Sequence, residues 1–154
     1  MEIRDLLTSD SVIANLRVTS KKQALQELAG AVSRVTDLDE RAVFDVLMER
    51  EKLGTTGVGN GIAIPHGKLP GLDKLYGMFA RMEKPIDFQA IDEQPVDLIF
   101  LLLAPENAGA DHLKALARIS RTLRDRAMCE KLRGSDDRDA IYALLHDSTT
   151  EHVS

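Results

Sequence analysis

Apolar residues recur at helical spacing twice in the first third of the chain. Ala24, Leu25, Leu28, Ala29 and Val32 make one stripe, and Ser20 with Gln23 three residues on reads as a capping box that opens it. Val43, Val46 and Leu47 make a second stripe, for which Asp39 is the predicted cap and Gly54 the stop. Before them, residues 1–19 hold only the apolar pairs Leu6-Leu7 and Val12-Ile13, too short to fix an element. The period then changes. Ile62-Ala63-Ile64 reads as a short buried strand, and Leu75 to Met82 as a longer one with Gly77 inside it. Lys84-Pro85 breaks that run, leaving Ile86 to Ile91 as a connection. Val96 to Leu103 is apolar almost throughout after Asp97, the pattern of a central strand covered on both faces, so helices are expected on both sides of the sheet. Past a loop at Pro105 to Gly109, Asp111 is placed to cap a helix turning Leu113, Leu116, Ala117 and Leu123 inward. Asp125 to Arg133 follows as a short helix ended by Gly134. Ser135 or Asp136 starts a last helix with Ala140, Ile141, Leu144 and Leu145 on its buried side. Lys114, Arg118 and Arg121 share another face of the Asp111 helix, read as a solvated surface, and residues 148–154 are expected to fray. The expectation is one layered domain over residues 1–154: helices, a mostly buried sheet, helices.

Composition narrows the functions open to such a domain. The chain has 154 residues, 44% hydrophobic and 29% charged, which suits one ordinary globular unit with a core of its own. A formal charge of -5 argues against a general phosphate-backbone binder, so nucleic acid is not an expected partner. The longest apolar run, Leu98 to Pro105, falls well short of the roughly 20 residues of a membrane helix. Glu2, Arg4 and Asp5 break the first segment, leaving no signal-peptide pattern, and a cytoplasmic location is expected. Cys129 is the single cysteine and reads as a small half-buried apolar side chain. His66, His112, His146 and His152 have no metal-ligand spacing, so neither a metal nor a cofactor is expected. His146 falls at a helix end, where it complements the dipole.

The candidate chemistry lies between Thr55 and Lys68, where a glycine-rich stretch runs into the short strand at Ile62 and delivers His66. Gly57, Gly59 and Gly61 can take positive φ and expose backbone N–H groups to an anion. Pro65 holds Ile64 extended and ends the strand, so His66 leaves it in a defined direction, with Gly67 keeping space open beside the imidazole. A dinucleotide fingerprint is excluded because the order here is helix, glycines, strand. A Walker A loop is excluded because Leu69 follows Gly67-Lys68 and Ile62 stands where the first glycine belongs. Arg50, in the last turn of the helix before the loop, has two readings: a cation complementing the helix C-terminus, or a guanidinium at the rim of the His66 site. A module that binds a small anion or nucleotide through the glycine loop, with His66 a non-covalent contact, stays open beside a catalytic histidine.

Four stretches together resemble a known family. They are Arg50-Glu51-Lys52-Leu53-Gly54 with the threonines after it, Gly59 to Lys68, Ala90-Ile91-Asp92-Glu93-Gln94-Pro95-Val96-Asp97-Leu98, and Asp111-His112-Leu113. In order and spacing they are similar to the EIIA proteins of the bacterial phosphoenolpyruvate-dependent phosphotransferase system, fructose/mannitol class, and most similar to its nitrogen-related branch. The resemblance spans roughly Leu6 to Leu145. It implies an α+β fold, a three-layer α/β/α sandwich with a mixed sheet. It implies that His66 is the phosphorylated histidine and that Arg50 and His112 lie beside it. The implied reaction is reversible phosphoryl transfer from a histidine of an HPr-like phosphocarrier to a ring nitrogen of His66, Nε2 by preference, in a protein that signals through its phosphorylation state to regulatory targets. A sugar-specific EIIA that passes phosphate to a permease is the alternative within the class. Phosphoryl transfer of this kind is served by positioning and by cationic and N–H donors. Arg50 is the candidate cation. His112, at a helix N-terminus, is expected to be neutral with one N–H for phosphate. The hydroxyls of Thr55 and Thr56 and the amides of Gly57, Gly59, Gly61 and Gly67 are further candidate donors.

Overall fold

Strand β6, Val96–Pro105, is the axis of the computed structural model, which describes residues 2–148. Its alternate side chains go to opposite faces, as strand geometry requires. Ile99, Leu101 and Leu103 enter one core, and Leu98, Phe100, Leu102 and Ala104 enter another. On the first face lie α2 (Lys21–Thr36) and α3 (Glu40–Lys52). On the second lie α1 (Ile3–Leu6), α4 (Asp111–Arg124), α5 (Arg126–Arg133) and α6 (Arg138–His146). The result is the expected three layers. A continuous apolar strand dictates them, because both of its faces must be shielded from water.

The sheet is mixed. β5 (Tyr76–Ile86) runs antiparallel to β6, and β1 (Val12–Leu16) lies parallel to β5 at one edge. On the other side of β6, β3 (Ile62–Ala63) and β4 (His66–Leu69) pair with it in parallel, and β2 (Gly57–Gly59) pairs antiparallel with β3.

Several elements differ from their sequence expectations. The pair Val12-Ile13 belongs to edge strand β1, which takes its order from β5. Lys84-Pro85 does not end β5. Pro85 sits in an irregular, exposed stretch between the Arg81 and Ile86 pairings, where its missing N–H is not needed. Ser20 caps α2 as expected, but Gln23 Oε1 accepts from Thr19 N at 2.7 Å, closing the box one residue early. Ala110, not Asp111, occupies the N-cap position of α4, and that helix turns Ala115, Ile119, Thr122 and Leu123 inward. Leu113 and Ala117 are exposed instead, since small Ala115 lets the helix approach the sheet on a different phase. Asp137, with its carboxylate accepting from Ala140 N, caps α6 in place of Ser135 or Asp136. Ala140 is exposed, while Ile141 and Leu145 are buried. Ser148, placed in the expected frayed tail, is buried and donates to Leu145 O. Residues 149–154, with His152, lie outside the described residues.

Candidate functional site

The glycine-rich stretch is a β-hairpin. Asn60 (φ 58°) and Gly61 (φ 81°) form its two-residue turn, both left-handed as a type I′ turn demands. Its polar groups are spent inside the protein. Asn60 N donates to Asp92, Arg133 donates to Asn60 O and to both oxygens of Asp97, and the Gly61 carbonyl accepts from Asp97 N and Leu98 N.

From the hairpin the chain stays against β6. Pro65 cannot donate, which interrupts the ladder between β3 and β4, but its carbonyl accepts from Leu102 N and pairing resumes without a change of register. His66 is therefore the first residue of a new strand, not the start of a loop. Its backbone is paired with Leu102 of β6, and the side chain is half-buried.

Gly67 works differently from expectation too. A Cβ there would collide with Val46 Cγ1, so this glycine makes room for α3 and not for the imidazole. That close approach matters because Arg50 lies one turn beyond Val46 on the same helix face. Arg50 Nε donates to His66 Nε2 at 3.3 Å, and Arg50 Nη1 donates to Gly54 O at 2.8 Å. One guanidinium thus satisfies the end of α3 and meets the histidine.

His66 Nδ1 lies 2.9 Å from the Ile64 carbonyl. A carbonyl can only accept, so Nδ1 carries the hydrogen and Nε2 keeps the lone pair that Arg50 meets. Burial above all, with the charges of Arg50 and His112, holds the His66 pKa below the ordinary histidine value. The Ile64 carbonyl and Glu51 pull the other way without reversing this. The imidazole is neutral at pH 7. His112, at the start of α4, has the same tautomer: its Nδ1 donates to Gly109 O at 2.8 Å.

Arg50, His66 and His112 share one cavity of ≈ 340 Å³, walled by Val46, Leu53, Leu102 and Ala104, with Glu49 and Lys68 also lining it. Gly67 lines it. Thr55, Thr56, Gly57, Gly59 and Gly61 do not. Thr55 Oγ1 donates to Phe88 O, and Thr56 Oγ1 makes a short contact with Glu51 Oε2. The cationic donors lining this cavity are those of Arg50 and Lys68.

Glu51 is the residue that sequence reasoning passed over. It is 9% exposed, accepts from Thr56 N at 3.1 Å and pairs with Lys21 Nζ at 2.7 Å, while that ammonium lies over the Phe88 ring. An acid in the last turn of a helix opposes the dipole unless a cation or donors offset it. That misplacement was the available signal. Glu51 fastens the Thr55-Thr56 segment and α2 to the end of α3 that carries Arg50. His146 pairs with Asp147 away from this cavity, and Cys129 is buried with its thiol pKa raised by burial. Among the described residues no group of histidine, cysteine and acidic side chains could hold a metal ion, and no helix is long and apolar enough to cross a membrane.

A neutral, oriented imidazole backed by a guanidinium thus stands at a cavity on a three-layer mixed sheet. The chain belongs to the family described as "Phosphoenolpyruvate-dependent sugar phosphotransferase system, EIIA 2", whose pattern it matches over residues 5–148. It is 62% identical over 145 residues to a nitrogen regulatory protein of Bradyrhizobium diazoefficiens, covering 94% of this chain and 95% of that one. A nitrogen regulatory protein of Escherichia coli is 36% identical over 149 residues, covering 96% and 91%. The crystal structure of nitrogen regulatory protein IIA-Ntr from Neisseria meningitidis superimposes with a TM-score of 0.87 at 36% identity, covering 93% of this chain and 98% of that one. Sugar-pathway relatives match as well. The fructose-specific EIIABC component of Bacillus subtilis is 30% identical over 95% of this chain, which corresponds to 23% of that protein.

Proposed function

We propose that this protein accepts a phosphoryl group on His66 Nε2 from a phosphohistidine of an HPr-like carrier and regulates nitrogen-related targets through its phosphorylation state. The observation that carries the reading is the bond from His66 Nδ1–H to Ile64 O, which leaves Nε2 with its lone pair at the cavity beside Arg50. In the transfer, the carrier's N–P bond breaks and its electron pair stays on the carrier ring, while the His66 lone pair forms the new N–P bond. Nδ1 keeps its proton throughout. Arg50 moves its Nε–H from Nε2 to the equatorial phosphoryl oxygens as their charge develops, the donor role on which such transfers depend. The Ile64 carbonyl, by holding the Nδ1 proton, keeps the ring a good leaving group for the return transfer.

Phosphorylation puts a phosphoryl dianion on a ring that keeps its Nδ1 proton, so a cavity with valine, leucine and alanine in its walls gains net negative charge at its mouth. Leu53, which lines it, is 85% exposed, and Leu113, next to His112, is 60% exposed. An apolar target surface docked there binds the unphosphorylated form and is expelled by the phosphate, because burying charged oxygens against an apolar surface that offers them no donor is costly. The likeness to nitrogen regulatory proteins favours this regulatory role over relay to a sugar permease. The test is incubation with a phosphorylated HPr-like carrier. One phosphoryl group, stable in base and lost in acid, is expected on the wild type and none on His66→Ala; full labelling of the variant overturns the assignment.

A further inference from the structure

His112 and His66 have the same tautomer, and for His112 that tautomer is the wrong one for holding phosphate. Gly109 O, 2.8 Å from Nδ1, can only accept, so the single hydrogen of a neutral His112 is on Nδ1 and its Nε2 bears a lone pair. The expectation of a neutral histidine with an N–H for phosphate therefore fails in this geometry. A lone pair repels a phosphoryl oxygen. Moving the hydrogen to Nε2 would put the bare Nδ1 against the Gly109 carbonyl, two acceptors in contact with no proton between them.

Taking the proposed acceptor role of His66 as its basis, we infer that His112 binds a phosphoryl group on His66 only as an imidazolium, so that phosphorylation brings one proton from solvent to His112 Nε2. With both nitrogens protonated, Nδ1–H stays on Gly109 O and Nε2–H is free for phosphate, as no neutral form allows. The charged groups that share the cavity with it are Glu49 and Arg50 from α3 and His66 and Lys68 from β4. Glu106, Asp111 and Lys114 lie on its own loop and helix. In the free protein Arg50 and Lys68 oppose a further cation beside them; a phosphoryl dianion placed among them offsets that opposition. The N–P exchange itself moves no proton. His112 thus supplies a pH-dependent affinity for the phosphoryl group, alongside the permanent charge of Arg50.

The test uses the full ¹⁵N-labelled chain before and after reaction with a phosphorylated HPr-like carrier, with intact mass reporting the phosphoryl group and long-range ¹H–¹⁵N spectra reporting both ring nitrogens of His112 at pH 7.5. The expected result is a proton on Nδ1 alone in the free protein and on both nitrogens in the phosphorylated one. A phosphorylated protein whose His112 is neutral, in either tautomer, overturns the inference and leaves the acceptor assignment standing. Failure to gain the phosphoryl group overturns that assignment and this inference with it. An equilibrium measurement gives a second readout. Between the protonation steps of His112 in the two forms, the constant for transfer to the wild type, divided by that for His112→Gln, falls about tenfold per pH unit as pH rises. A ratio independent of pH overturns the inference.

Discussion

Replacing Gly67 by alanine tests the link between packing and chemistry most directly. The new methyl group falls well inside van der Waals contact of Val46 Cγ1, and Val46 cannot swing away because a β-branched side chain in a helix has one strongly preferred rotamer. Restoring ordinary carbon–carbon separation requires α3 to retreat from β4 by more than about 1 Å, since such contacts are optimal near 3.5–4.0 Å. Overpacking of this kind costs about 1–3 kcal/mol of stability. The functional loss is larger. Arg50 Nε stands 3.3 Å from His66 Nε2, already long for a hydrogen bond, so the same retreat breaks it. A misplacement of that size can slow a reaction by about 10²-fold. Stopped-flow phosphoryl transfer and urea denaturation measure the two losses, and Val46→Ala in the same molecule restores both by removing the colliding methyl. Wild-type rates in Gly67→Ala, or a double variant no better than the single one, would show that glycine is not there to seat α3.

Arg50→Ala slows transfer by about 10²–10³-fold, the scale of losing one transition-state donor, yet shifts stability by less than about 1 kcal/mol because its ground-state bonds are partly exposed; a large stability loss with normal transfer refutes the assignment. Glu51→Ala destabilises by about 3–5 kcal/mol, as Lys21 loses its carboxylate and Thr56 its acceptor in a buried site, and denaturant titration showing under 1 kcal/mol contradicts the buried-pair reading. Because the folded-state pKa of His66 lies below its unfolded value, the unfolded chain binds the extra proton more readily. Stability contributed by this group is therefore present above the unfolded pKa, near 6.5, and is lost as pH falls through the window down to the folded pKa. Phosphoryl acceptance by the neutral ring persists below pH 6.5, and Arg50→Met moves its acid limb to higher pH; an unmoved limb removes Arg50 as a cause. In calorimetric titration a regulatory target binds the unphosphorylated form, and His66→Asp imitates the weak binder; equal affinity for both phosphorylation states refutes charge-based discrimination.

The sequence by itself determined the layers. An unbroken apolar run at Val96–Leu103 has one physical solution, a strand shielded on both faces, and the stripes at Ala24–Val32 and Val43–Leu47 supply the helices for one of them. Resemblance located Arg50, His66 and His112, and the cavity brings the three together. Only the tertiary structure decided what surrounds them. Glycines at 57, 59 and 61 are equally compatible with an anion loop and a tight hairpin, because positive φ serves both, and the choice is made by Asp92, Asp97 and Arg133. Proline at 65 ends a strand in isolation, yet a neighbouring β6 amide takes its carbonyl and the strand resumes at His66. The phase of α4 depends on which stripe the sheet accepts, so Leu113 ends in solvent while Ala115 goes to the core. The tautomers of His66 and His112 rest on two backbone carbonyls, Ile64 and Gly109, whose positions no local pattern encodes. Periodicity is a property of neighbours along the chain; a hydrogen-bond partner is a property of neighbours in space.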